Sequence, residues 1–100
     1  MTTESHVVRV EKLMALKLSE FQLTIAPLVG SPLGGEVSAV ELPLGAGTVR
    51  ISYEPRPSVR YGGLLDIPRA LVTLAFSNVA PAEQTAYVKR FDFTFQRGGG

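Results

Sequence analysis

The sequence predicts an α+β domain: a small antiparallel sheet of three or four strands, with an N-terminal and a C-terminal helix packed on one face. Three observations predict it. Period-two alternation recurs between residues 37 and 77, helix-start signals precede apolar residues at helical spacing on both flanks, and Gly- and Pro-rich turns separate the segments.

Residues 7 to 29 superpose two patterns. Val7, Val10, Met14, Leu18, Phe21, Ile25 and Leu28 fall on one helical stripe. Ser19 followed by Gln22 reads as a capping box, however, and starts a helix at Glu20. Pro27 cannot keep an interior helical hydrogen bond, so that helix is expected to kink or stop near Ala26. The prediction is a helix over Glu20 to Ala26, with helix and strand both open for residues 7–18. Gly30 to Gly35 then forms a turn-rich break.

The β-rich part follows. Val37, Ala39, Val40 and Leu42 suggest a short strand, Gly45-Ala46-Gly47 a turn, and Val49, Ile51 and Tyr53 a second strand with Tyr53 facing inward, together a hairpin. Pro55 and Pro57 cannot donate to a ladder, which places them at an edge, a bulge or a bend, and Gly62-Gly63 marks another bend. Ala70, Val72, Leu74 and Phe76 alternate with Leu71, Thr73, Ala75 and Ser77. So few polar residues on either side predict a central strand covered on both faces. Pro81 and Glu83 suit a first helical turn, and Tyr87, Val88, Phe91 and Phe95 line one side of the helix they begin. A period-two reading of Phe91 to Phe95 as a terminal strand competes; the absence of turn residues from Ala82 to Gln96 favours the helix.

One hundred residues make a single domain over 1–100, with 1–6 and 97–100 expected to fray and a radius of gyration near 13 Å if compact. The chain shows no basic start before an apolar run and no membrane-length apolar segment, so a cytoplasmic location without membrane insertion is expected. Ten basic and nine acidic residues leave a formal charge of +1, too balanced to name a partner. Zero cysteines exclude thiolate catalysis and cysteine-ligated metals. His6, the sole imidazole, lies at the expected frayed end, and no Gly-x-Ser-x-Gly elbow presents a serine. No catalytic pair, metal or cofactor is therefore nominated, and the chain reads as a non-enzyme.

Binding is the remaining class. Between Thr48 and Arg69 stand Arg50, Arg56, Arg60 and Arg69 against Glu54 and Asp66, whereas residues 1–47 carry a net charge of −2. Arginines interleaved with tyrosines suit anionic ligands or single-stranded nucleic acid, with Arg56, Arg60, Tyr61 and Arg69 as contacts. A solvated, charge-protected sheet edge accounts for the same residues. Phe91, Phe93 and Phe95 cannot share one side of a helix, which leaves Phe93 as an anchor for another protein or a second copy. The leading expectation is a non-enzymatic module acting through protein contacts.

The C-terminal Arg97-Gly98-Gly99-Gly100 resembles, in three residues, the Gly-Gly end of ubiquitin-like carriers, including the sulfur carriers of thiamin and molybdopterin synthesis. That resemblance implies covalent modification at Gly100. The predicted order of elements departs from the β-grasp order, in which a hairpin comes first and a helix follows it.

Overall fold

The computed structural model describes residues 7–98, so His6 and the end of the glycine tail lie outside the described residues. The chain runs β1 (Val7–Met14), α1 (Leu18–Val29), β2 (Ala39–Leu44), β3 (Gly47–Tyr61), β4 (Leu65–Ser77) and α2 (Pro81–Gly98). Four antiparallel strands form one sheet in the order β1-β4-β3-β2, and the architecture is α+β with a helix after the first strand and another at the end.

The interior lies between one face of the sheet and the helices. Val49 and Ile51 of β3 and Ala70, Val72, Leu74 and Phe76 of β4 meet Phe21 and Ile25 of α1 and Tyr87 and Phe91 of α2. These residues obey the periods of their elements: every second position on the strands, every third or fourth on the helices. Tyr53 also faces inward, its ring 5.3 Å from that of Phe21 and its hydroxyl donating to the Leu16 carbonyl at 3.1 Å.

The ambiguous segment 7–14 is a strand. Its even positions Val10 and Met14 pack on the core, and Lys12 between them is neutralised by Asp92 of α2 at 3.0 Å. α1 begins one residue after Lys17, not at Glu20, because the Glu20 carboxylate accepts from the Lys17 N–H at 2.8 Å. Gln22 is no capping residue. It is buried and donates to the carbonyls of Gly35 and Val37 at 3.2 and 2.9 Å, tying the connection after α1 to the helix. Pro27 removes a single donor and the helix runs on to Val29, ending at Gly30, whose φ of 90° is left-handed and whose N–H bonds Ala26 at 2.8 Å.

β4 is central, but it is covered by helices on one face alone. On the other face Leu71, Thr73, Ala75 and Ser77 are half-buried beneath the flanks of neighbouring strands, with Arg9 and Glu11 of β1 and Arg50, Ser52 and Glu54 of β3 around them. Short side chains between long charged ones give the low polarity that the sequence shows there. Beyond Ser52, β3 has no ladder partner in β2, and Pro55 and Pro57 stand on that open side; a bulge follows Arg56. The β3–β4 hairpin thus extends past the core as an arm, closed by Gly62 and Gly63 with φ of 59° and 71°. A 15-residue strand spans about 50 Å at about 3.3 Å per residue. This explains a long axis of 56 Å and a radius of gyration of 14.9 Å, above the compact expectation.

Candidate functional site

Register builds the uncovered face in rows. Arg9, Ala75, Arg50 and Glu41 form one; Glu11, Thr73, Ser52 and Ala39 the next; then Leu13, Leu71 and Glu54. At the base of the arm comes Arg56 directly opposite Arg69. Leu13, Leu71, Arg56, Pro57 and Arg69 line an open depression of about 490 Å³ there. Its floor is apolar, since Leu13 and Leu71 are cross-strand partners, and its rim carries two guanidinium groups.

The two arginines differ in their surroundings. Arg56 lies 3.5 Å from the Glu54 carboxylate, an exposed contact that screening reduces to little energy. Arg69 is half-buried, and among the described residues it has no ion pair. Like charges directly opposed across a ladder repel. An anionic group seated between them relieves that repulsion and gains two donors of the planar, forked kind that suit carboxylate.

The remaining sequence candidates are distributed elsewhere. Arg60 sits out on the arm, 3.5 Å from Asp66, its cross-strand partner. The backbone of Tyr61 pairs with Leu65 at the tip of the hairpin. Phe93 is 57% exposed on α2, in the helical layer on the other side of the sheet, while Phe91 is fully buried and Phe95 half-buried 4.5 Å from it between ring centroids. So the structure brings Arg56 and Arg69 together and separates them from Phe93. Sequence reasoning does not single out Leu13 and Leu71; the signal for Leu71 is the low polarity of the odd positions of β4, which reads as a second buried face.

Exposed aliphatic side chains stand among the charged ones: Leu64 and Leu65 at the tip of the arm are 96% and 57% exposed, and Leu13 at the depression 56%. Exposed aliphatic groups next to cations favour a ligand that is both acidic and apolar. No group of three His, Cys, Asp or Glu among the described residues could hold a metal ion. Nor is any helix among them long and apolar enough to cross a membrane.

No family model, curated protein or solved structure matches this chain.

Proposed function

We propose that the chain is a non-enzymatic binding module of the cytoplasm, and that the depression between Arg56 and Arg69 takes an acidic, partly apolar segment of another protein. The observation that carries this reading is the opposition of two arginines over the Leu13–Leu71 floor on a sheet face that no helix covers. A protein segment supplies both components, carboxylates for the rim and aliphatic groups for the floor.

The nucleic-acid reading finds less support. A single-strand platform needs several bases stacked on aromatic rings along a basic track. Tyr53 is turned into the core, Arg60 pairs with Asp66 out on the arm, and among the described residues no aromatic ring lines the depression that holds Arg56 and Arg69. The carrier reading differs from its model at the tail, because Gly98 ends a helix and not a strand.

Fluorescence anisotropy with three labelled probes tests the proposal: a peptide alternating Glu with Leu and Phe, the same peptide with Lys for Glu, and an oligothymidylate. The acidic peptide should bind in a salt-sensitive manner and the basic one should not. Arg69→Glu should weaken the acidic peptide by about tenfold or more, the scale of losing a charge-assisted pair at about 1.4 kcal/mol per decade. Equal binding of the two peptides, binding of the oligonucleotide alone, or no binding by any probe overturns the reading.

A further inference from the structure

The sheet has two edges, and they are guarded unequally. β2 is short and carries Pro43 and Glu41, both of which discourage strand addition. β1 has no proline, is eight residues long, and among the described residues pairs on one side only, with β4. Three of its apolar side chains are exposed, Val7 at 45%, Val8 at 39% and Leu13 at 56%. Such an edge is a template for another strand.

The order of residues on β1 selects the occupant. A two-fold axis normal to the sheet joins two antiparallel edge strands so that one residue faces its own copy, and every pair around it stays on the same side of the sheet. With Val10 on the axis, Arg9 faces the partner's Glu11 and Glu11 the partner's Arg9, while Val7 faces the partner's Leu13 and Leu13 the partner's Val7. On the helix side Val8 faces the partner's Lys12. Centring on Arg9, Glu11 or Lys12 instead opposes each of those charges to itself. One register therefore satisfies both the charges and the exposed aliphatics. Within the chain Arg9 stands opposite Ala75 and Glu11 opposite Thr73, and neither enters an ion pair among the described residues.

We infer that β1 pairs with β1 of a second copy in the register centred on Val10, joining two sheets into one of eight strands with both helical layers on the same side. The seam meets the peptide site at Leu13, which lines the floor of the depression, but includes neither Arg56 nor Arg69, so the two surfaces can be ablated separately. Two reciprocal Arg9–Glu11 pairs would close the open face of the seam, and two Val7–Leu13 pairs would flank them. The Lys12–Asp92 contact ties the opposite side of β1 to α2.

Sedimentation of the full chain over a range of concentrations tests the inference, with circular dichroism confirming the fold of each variant. The wild type should sediment as a dimer that dissociates on dilution. Arg9→Glu alone and Glu11→Arg alone each turn both attractive pairs into repulsive ones and should raise the dissociation constant about tenfold or more. The double variant Arg9→Glu/Glu11→Arg restores opposite charges in the same register and should recover the dimer. Arg69→Glu, which ablates the proposed peptide site, should leave dimerisation unchanged. A wild type that stays monomeric at millimolar concentration, single reversals that dimerise as tightly as wild type, or a double variant that fails to recover while remaining folded overturns the proposal.

Discussion

Tyr53 and Tyr87 face the same apolar interior, and one hydrogen bond separates their expected behaviour. The Tyr53 hydroxyl donates to the Leu16 carbonyl, whereas the Tyr87 hydroxyl is buried without a hydrogen-bond partner among the described residues, its ring edge-on to Phe76 at 6.1 Å. Removing a made bond costs about 0.5–1.5 kcal/mol, and removing an unmade one relieves a desolvation penalty. Tyr53→Phe should therefore lower the unfolding free energy by about 1 kcal/mol, and Tyr87→Phe should leave it unchanged or raise it by up to about 1 kcal/mol, in urea titrations at neutral pH. Both phenols titrate above their ordinary value of about 10: burial raises each, with Glu20 adding to the rise at Tyr53 and Arg90 opposing it at Tyr87. Above pH about 10 the unfolded chain releases these protons while the folded chain still holds them, so stability falls as pH rises. It is present in full below that pH and is lost as the pH climbs through the raised folded values. The double Phe variant should flatten this alkaline decline; a decline of wild-type steepness in that variant would assign the effect to other groups.

At the scale of elements, two hairpin ends meet the top of the core. Gly47 starts β3 with its α-carbon against the backbone carbonyls of Ser77 and Asn78, where β4 turns into α2, so a β-carbon there would overlap main chain. Main chain yields less readily than the tip of a side chain. Gly47→Ala should destabilise by about 1–3 kcal/mol, whereas Gly34→Ala, with open space around it, should change stability by less than about 0.5 kcal/mol; equal thermal shifts for the two would show that the close approach relaxes freely. The same scale shows what was legible in the sequence. The β2–β3 hairpin, β4 and α2 were readable because alternation and helical spacing there agree with their turn and cap residues. β1 was not, because its helix-facing series Val8, Val10, Met14 is interrupted at the third place by Lys12, whose neutralising partner Asp92 stands 80 residues away. The covering of β4 is hidden for a related reason: Leu71, Thr73 and Ala75 look like a buried face, yet they are sheltered by charged neighbours from adjacent strands. The candidate site was legible as residue types but not as a place. Arg56 and Arg69 become opposed only through the register of β3 on β4, which neither their spacing nor the nearby prolines disclose.

At the scale of the whole molecule, the arm and the core are separable in the packing. Among the described side chains, none from 54 to 69 belongs to the hydrophobic cluster, which resumes at Ala70 opposite Pro55. Arg56 and Arg69 are direct cross-strand partners, the geometry that a two-residue turn closes. Replacing Pro57 through Pro68 by Asn-Gly should therefore leave a folded sheet with both helices, its thermal midpoint lowered by no more than about 5 °C, since roughly 1 kcal/mol moves a domain of this size by about 4–8 °C. The shortened chain also lacks Pro57, one wall of the depression, and the exposed Leu64 and Leu65 at the tip of the arm, so affinity for the acidic peptide should drop several-fold while β1 pairing persists. Loss of cooperative unfolding in the shortened chain would instead make the arm part of what holds the sheet together. Retained peptide affinity in a folded shortened chain would confine recognition to the two arginines and the Leu13–Leu71 floor, and would leave the projecting hairpin without a role in it.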